Sequence, residues 1–485
     1  MTDLALRPAV DLVAALQKRE VSARELLDHY LGRVERLNPP LNAVVTLDVE
    51  GARKAADAAD AARARGETLG PLHGLPMTIK DTLETAGVRT TAGAPMLSGH
   101  VPSVDATVVE RVRAAGAVIF GKTNTPPFAG DVQTFNPVFG VTRNPWNLDR
   151  TCGGSSGGSA VAIAAGLSGA EIGSDIGGSI RTPAHCCGVY GHKPTHGIVP
   201  ARGHIPGPPG TLGDYDLGVM GPLGRSANDL ALLMDVLAGP DQAAATAWKL
   251  TLPPPRGRAL RDYRVAVWMD DPFAPVDREV QARGAATVEA LRKAGVTVDE
   301  TARPVADLGA VQRCYEKLLW PILSGGMTPD DVEELARVAA TAPPDDSNVF
   351  DRFTRAVTLR HRDWIFVDEE RQQLRRAWAD FFTRFDVLLC PVWPVPAIPH
   401  LHDDTILART IRVNGEERSY IELIVWAGLV TMALLPATSV PVGNGTSGLP
   451  VNLQIVGPYL EDRTCLDFAR RLGEVIGGYV PPPGV

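Results

Sequence analysis

Two glycine-rich turns that display serines constrain this chain more than any other feature. They are Gly153-Gly154-Ser155-Ser156-Gly157-Gly158-Ser159 and Ser174-Asp175-Ile176-Gly177-Gly178-Ser179-Ile180-Arg181, which set Ser155 and Ser179 24 residues apart. Glycine inside regular structure costs ~0.5–1 kcal/mol relative to alanine, because it has more backbone freedom to lose. Glycines crowded around hydroxyls are therefore expected where backbone must approach something closely or adopt a positive φ. A flexible linker would not carry the apolar run Ala160-Val161-Ala162-Ile163-Ala164-Ala165 between the two turns.

The chain's 485 residues exceed what one hydrophobic core usually supports, so either two domains or one large layered α/β structure is expected. Apolar residues make up 45% and charged residues 21%, the composition of a folded globular protein. A net charge of −8 and a pI near 5.7 argue against a nucleic-acid surface, which needs clustered Lys and Arg. The segment Met1 to Pro8 carries an early acid and a proline and has no apolar core of signal-peptide length, so export is not expected. No uninterrupted apolar run reaches the roughly 18 residues of a membrane span. The six cysteines, with Cys186 and Cys187 adjacent, read as buried thiols of a reducing compartment, and the expected location is cytoplasmic.

Along the chain, Ser22-Ala23-Arg24-Glu25 forms a capping box ahead of apolar positions at helical spacing, Leu26, Leu27, Tyr30, Leu31 and Val34. Pro39-Pro40 is expected to end that helix. An alanine-rich stretch from Val49 to Arg65 predicts a second helix closed near Gly66, and Pro76 to Asp81 reads as a short buried strand that delivers Lys80 at its end. A helix at 108–115 and a strand at 117–120 follow, then a small-residue helix at 160–167. Further strands are expected at 265–268, 296–298, 387–390, 439–442 and 451–456, with helices at 277–293 and 365–382. This alternation is an α/β pattern without tandem repeats. Residues 200–222 are dense in Gly and Pro and 238–259 contain Pro253-Pro254-Pro255, so both are loops or linkers. Trp320, Trp364, Trp378, Trp393 and Trp426 cluster beyond residue 310, a density that suggests core packing and hints at an apolar cleft.

Three motifs mislead. Gly116-Ala117-Val118-Ile119-Phe120-Gly121-Lys122-Thr123 satisfies the phosphate-loop pattern, but its spacer is strand-like and Pro126-Pro127 obstructs the helix that must follow. Gly153 to Gly157 fits a nucleophile elbow, yet the upstream residues Asn144 to Arg150 are turn-like rather than a strand. His185, Cys186, Cys187, His192 and His196 lack the usual ligand spacing for zinc, and no metal is expected.

Acyl transfer needs an activated hydroxyl, a base matched to neutral pH and donors aimed at the developing oxyanion. Ser179 follows Ile176-Gly177-Gly178, whose consecutive N–H groups can form a nest for an anion. Burial of Lys80 at a strand end would lower its preference for the charged form and let it act as a base. Gly153 through Pro183, including Asp175, Ser179, Arg181 and Pro183, resembles the signature segment of the amidase signature family. The resemblance extends to His73-Gly74-Leu75-Pro76 with Lys80-Asp81, to Gly121-Lys122-Thr123-Asn124, to Gly191 through Gly197, to Gly448-Leu449-Pro450 and to Gln454 through Pro458.

That resemblance implies a Ser, cis-Ser, Lys set, with Ser179 as nucleophile, Ser155 as bridging hydroxyl after a cis Gly154-Ser155 bond, and Lys80 as base. It implies an oxyanion hole from the backbone amides of Ile176, Gly177, Gly178 and Ser179, with Asp175, Arg181 and Ser156 in support. It also implies a single large α/β/α layer domain with a mixed central sheet covered by helices. Within it, residues 1–66 would be a helical N-terminal segment, 70–235 the signature core and 260–485 the substrate-shaping part. The implied activity is hydrolysis of linear amides. Loop composition points to apolar or aryl amides as substrates, with esters and carbamates (urethanes) served by the same intermediate. No cofactor is implied, and the partners expected are a small-molecule amide and at most a second copy, as monomer or homodimer. The alternative is the A-type subunit of an amidotransferase built from several different chains. Thr125-Pro126-Pro127-Phe128 departs from the pattern of such subunits by lacking an acidic residue at Pro127; Cys152 is a second departure, where Pro or Ala is common in the family.

Overall fold

The computed structural model describes residues 3–67, 69–343 and 348–485. Its first long helix, Ala23–Leu41, opens with the expected capping box: Glu25 N–H donates to Ser22 Oγ at 3.1 Å and Ser22 N–H to the Glu25 carboxylate at 2.9 Å. Pro39 and Pro40 do not end this helix. They lie in its last turn, and the chain leaves the helix at Asn42 with φ 51°. A proline deprives the carbonyl four residues back of its donor. Here those carbonyls belong to Glu35 and Arg36, which are exposed and can be served by water. The helix Val49–Ala64 follows, capped by Asp48.

The strands form a three-stranded and an eight-stranded sheet, besides three short two-stranded ribbons, among the described residues. The first comprises β1 (Val44–Leu47), β2 (Pro76–Lys80) and β3 (Val118–Thr123), in the order β1-β3-β2. The second contains β4 (Glu171–Asp175), β5 (Tyr190–Lys193), β6 (Val219–Gly224), β7 (Arg264–Val267), β8 (Thr297–Asp299), β9 (Val387–Pro391), β10 (Ala437–Asn444) and β11 (Pro450–Val456). Its order is β8-β7-β9-β11-β10-β5-β6-β4. β7 runs parallel to β8 and β9, and the remaining pairs are antiparallel, so the sheet is mixed. Every residue of β4, β5, β6, β9 and β11 is buried, which requires cover on both faces. Helices Ala227–Leu237, Arg278–Lys293 and Asp462–Ile476 supply one group of covering elements and Gly157–Ala164 with Arg181–Cys187 another. This is the α/β architecture, helices over a mixed sheet, that the sequence leads one to expect.

Expected strand ends agree with β7 to β11 within one or two residues. The phosphate-loop lookalike is absorbed into β3, where Lys122 is buried and donates to Leu83 O and, at 2.7 Å, to Thr85 Oγ1. The segment before the first glycine turn differs from expectation: Asn147–Thr151 is a short strand paired with Arg143–Asn144. It is a ribbon of its own, not a member of the central sheet that a nucleophile elbow requires. Trp378, Trp393 and Trp426 are wholly buried in the core, so tryptophan density marks packing; among those five, only Trp320 lines the cleft described below. No helix among the described residues is long and apolar enough to cross a membrane.

The site is positioned where the two sheets meet. β2 runs beside β4, and Gly169 N–H, just ahead of β4, donates to Pro76 O at 3.2 Å while Thr78 N–H donates to Ser168 Oγ at 2.9 Å. Deep in the larger sheet, Leu389 of β9 sits between Val267 and Ile455 and is fully buried. Leu389→Ala is expected to lower the unfolding free energy by about 2–5 kcal/mol, the cost of lost transfer energy plus a cavity. Urea denaturation reads this directly, and a loss below about 1 kcal/mol contradicts the central place of β9.

Candidate active site

Lys80 ends β2 with every neighbouring strand residue buried, so its amine has no route to bulk water along the strand. Nζ donates to Ser155 Oγ at 2.7 Å and to Ser174 Oγ at 2.9 Å. Burial pushes its pKa down from 10.5 to about 7, against the opposing pull of the Asp175 and Glu171 charges. A large fraction of free amine at neutral pH follows. Ser174 has no role in the sequence reading, although it lies within the second turn. It comes into reach because β4 carries it beside the end of β2.

The glycines around Ser155 answer a packing need. A Cβ on Gly154 would stand 2.7 Å from the backbone nitrogen of Gln133, closer than real contacts allow. The Gly154-Ser155 peptide is cis. Ser156 N–H donates to Ser179 O at 3.1 Å and fastens the two turns together. The Ser156 hydroxyl lies 3.3 Å from both Ser174 N and Ser174 O, so it ties the first turn to β4 and does not reach Lys80. Ser155, Ser174 and Ser179 open onto one cleft. The Lys80–Ser155 contact is made, whereas the Ser179 hydroxyl has no hydrogen bond among the described residues.

Asp175 and Arg181 hold the Ser179 turn from below. Burial, the largest single influence, would raise the Asp175 pKa, but the charge and hydrogen bond of Arg181, joined by the Lys193 charge and the Ile180 amide, together bring the carboxyl down to about 2. Both groups are wholly buried, and Arg181 reaches Asp175 through Nε at 3.0 Å and Nη2 at 2.9 Å. Arg181 also donates to Gln454 Oε1 at 2.8 Å, Thr431 Oγ1 at 2.8 Å and Ala427 O at 3.1 Å. One guanidinium thus ties the turn to β11 and to the helix Val425–Met432.

Asp175 also accepts from Gly178 N–H at 2.9 Å and Ile180 N–H at 3.1 Å. This amends the expected set of oxyanion donors, because the Gly178 amide is already committed. The amides of Ile176, Gly177 and Ser179 make no hydrogen bond among the described residues. Tyr315, from the helix Leu308–Leu323, donates its hydroxyl to Ile176 O at 2.7 Å. Since C=O and N–H point in opposite directions across a trans peptide, fixing that carbonyl turns the Gly177 N–H the other way. Sequence reasoning misses Tyr315 because nothing local links it to a turn 139 residues away.

Two adjoining cavities meet at Ser179. One is lined by Ser155, Ser174, Phe128, His204, Tyr215 and Met220; the other by Gly177, Val132, Trp320, Tyr420, Ile421 and Ile424. Ile176, Ala129 and Leu323 line both. No Lys or Arg is among the described residues lining either cavity, and the second cavity's Asp131 is engaged by Arg409 and Tyr420. The Gly/Pro-dense stretch 200–222 does contribute, through His204, Pro206, Tyr215, Gly218, Val219 and Met220. His185 and His192 are held elsewhere, His185 by the backbone of Asn452 and Val395 and His192 by Thr438 and Asp462.

The depressed Lys80 pKa has a stability consequence. Between pH of about 7 and 10.5 the unfolded chain keeps the Lys80 proton that the folded chain has released, so unfolding takes up a proton and stability rises with pH. Lys193, at about 7, and Lys122, at about 8, add slopes of the same sign. Lys80→Met is therefore expected to flatten the rise by up to about 1.4 kcal/mol per pH unit between about pH 8 and 10, one proton's worth. Urea midpoints measured across that range test this, and an unchanged slope means that Lys80 titrates as a solvated lysine does.

Known proteins resemble this chain along nearly its whole length. A family model described as Amidase matches residues 25–466. The A subunit of the glutamyl-tRNA(Gln) amidotransferase of Roseiflexus sp. (strain RS-1) is 35% identical over 475 residues, covering 94% of this chain and 93% of the relative. Among solved structures, an amidase superposes with a TM-score of 0.77 at 29% identity over 97% of this chain and 100% of the other. The 6-aminohexanoate cyclic dimer hydrolase does so with 0.77 at 28% identity over 98% of each chain. The chain is a member of the amidase signature family.

Proposed function

We propose that this protein cleaves linear carbon–nitrogen amide bonds through an acyl-enzyme on Ser179, without metal or organic cofactor. The observation that carries this reading is the buried Lys80–Ser155 hydrogen bond of 2.7 Å, made by an amine whose pKa is about 7. Neutral Lys80 takes the Ser155 proton as Ser155 takes that of Ser179, and Ser179 Oγ bonds to the substrate carbonyl carbon. Negative charge then develops on the carbonyl oxygen, where the amides of Ile176, Gly177 and Ser179 can receive it; one such donor is worth about 2.7–4 kcal/mol. Collapse breaks the C–N bond, and Lys80 returns its proton through Ser155 to the departing amine. Water, deprotonated by the same relay, releases the acid and restores Ser179. Asp175, Arg181 and Ser156 hold the turns and do not react.

The apolar walls of both cavities favour apolar or aryl amides, and the same tetrahedral intermediate serves esters and carbamates. A small-molecule amide is then the partner, with neither nucleic acid nor membrane required, and the enzyme works as monomer or homodimer. Its six free buried cysteines suit the reducing cytoplasm.

A second reading is the A-type subunit of an amidotransferase built from several different chains. The names of the curated relatives, of which the Roseiflexus protein is 35% identical, support it more directly than they support a free-standing hydrolase. The lining of the cleft favours the first reading. A panel of aryl amides, esters and carbamates, given to the purified chain alone, separates them. The first reading expects hydrolysis without any partner; the second expects none until the partner chains are added. In either case Ser179→Ala should lower kcat/KM by at least about 10³-fold and Ser155→Ala by about 10²–10⁴-fold. Because the relay needs neutral Lys80, kcat/KM should rise through pH of about 7 and level off above it. Full activity of Ser179→Ala overturns the mechanism.

A further inference from the structure

Among the described residues that line the cavity of Ser155 and Ser174, His204 is the one whose buried polar atoms have no hydrogen-bond partner. It belongs to a stretch whose backbone is stitched to the residues that follow Lys80: Glu84 N–H donates to Gly203 O at 2.9 Å and Ile205 N–H to Thr82 O at 2.8 Å. Gly203, at φ 81°, packs so closely on Ala106 that a Cβ would stand 2.6 Å from its Cα, so the segment has little freedom to shift. The His204 carbonyl accepts the Tyr215 hydroxyl at 2.8 Å, and the Tyr215 ring meets the imidazole edge-on at 5.8 Å. The ring is thus held on a rigid platform.

Only 7% of His204 is exposed, and it lines the same cavity as Ser155, Ser174 and Ser179. Neither Nδ1 nor Nε2 has a hydrogen-bond partner among the described residues, although both atoms are buried. Burial, aided by repulsion from Lys80, lowers its pKa to about 3, so the ring is neutral at any pH at which Lys80 can act as a base. A neutral imidazole has one N–H donor and one bare nitrogen acceptor. Leaving such groups unpaired in a buried place is costly, so their partners come from the contents of the cleft.

The two cavities differ in a way that says which part of the substrate lies where. Ser155 lines the His204 cavity and not the other, whereas Gly177 lines only the other. On the proposed mechanism the departing nitrogen receives its proton from Ser155, so the amine half of the substrate lies with His204. The acyl half then lies against Trp320, Ile421 and Ile424. An amide, anilide or carbamate nitrogen presents an N–H there; an ester oxygen presents none.

From this juxtaposition we infer that His204 is a specificity-determining residue, whose bare imidazole nitrogen accepts the N–H of the leaving amine and so favours secondary amides and carbamates over esters of the same acyl group. This inference rests on the reading of Ser179 and Ser155 given above. No bond to His204 forms or breaks; it orients the nitrogen toward Ser155.

The test compares an anilide with the phenyl ester of the same apolar acid, on the wild-type chain, His204→Phe, His204→Asn and Ser179→Ala. A fluorophosphonate, whose fluoride leaving group has no N–H, reports independently on folding and on the nucleophilicity of Ser179. His204→Phe, which keeps the ring and removes both nitrogens, should lower kcat/KM for the anilide by about 10- to 100-fold, with ester cleavage and phosphonylation changed by less than about threefold. His204→Asn, which keeps a donor and an acceptor, should recover part of the anilide activity. An equal fall for anilide, ester and fluorophosphonate, or no fall at all, overturns the role of His204 while leaving the nucleophile intact. Retained cleavage by Ser179→Ala, or no cleavage of either substrate by the wild-type chain, instead overturns the hydrolase reading on which the inference rests.

Discussion

Everything in this site depends on an amine that has been taken out of water. A lysine in solvent is charged at neutral pH and cannot accept a proton; Lys80, wholly buried at the end of β2, is held near a pKa of 7 by the loss of its hydration. The folded protein tolerates this because two hydroxyls, Ser155 and Ser174, meet Nζ at 2.7 and 2.9 Å. Those hydroxyls come from different elements, one from the first glycine turn and one from β4. The junction of the smaller sheet with the edge of the larger one is therefore what brings base and relay together.

A second buried charge solves a different problem. The Ser179 turn must keep several amides free while remaining rigid, which a short glycine-rich segment does not do unaided. Asp175 takes the amides of Gly178 and Ile180, and Arg181 locks Asp175 to β11 and to the helix Val425–Met432. Such a pair contributes little net stability, since burying both charges costs about as much as their attraction returns. Its effect is on shape: it spends two amides of the turn and leaves those of Ile176, Gly177 and Ser179 for other work. Tyr315 completes the arrangement from a third direction by holding the Ile176 carbonyl.

Much of this was legible in the sequence because it is local. Glycine and serine spacing marks both turns, the capping box marks Ala23–Leu41, and the apolar run before Lys80 marks β2. Even the commitment of Gly178 has a local cause, an aspartate accepting an amide three residues on, and could be read from Asp175 alone. What stayed out of reach is set by tertiary pairing. Ser174 matters only because β4 lies beside β2, Tyr315 only because its helix crosses the turn, and His204 only because residues 203–205 are bonded to 82–84. The expected helix stop at Pro39-Pro40 fails for a related reason, since solvent exposure, invisible in the residue string, decides whether a lost donor costs anything.

The most direct measurement is a titration of the Lys80 amine itself, followed by NMR in protein carrying 15N-labelled lysine and assigned with Lys80→Met. A midpoint near pH 7 is predicted, with the signal moving to that of a neutral amine above it. A midpoint near 10.5, the value of a solvated lysine, would mean that Lys80 remains charged at neutral pH and cannot serve as the base.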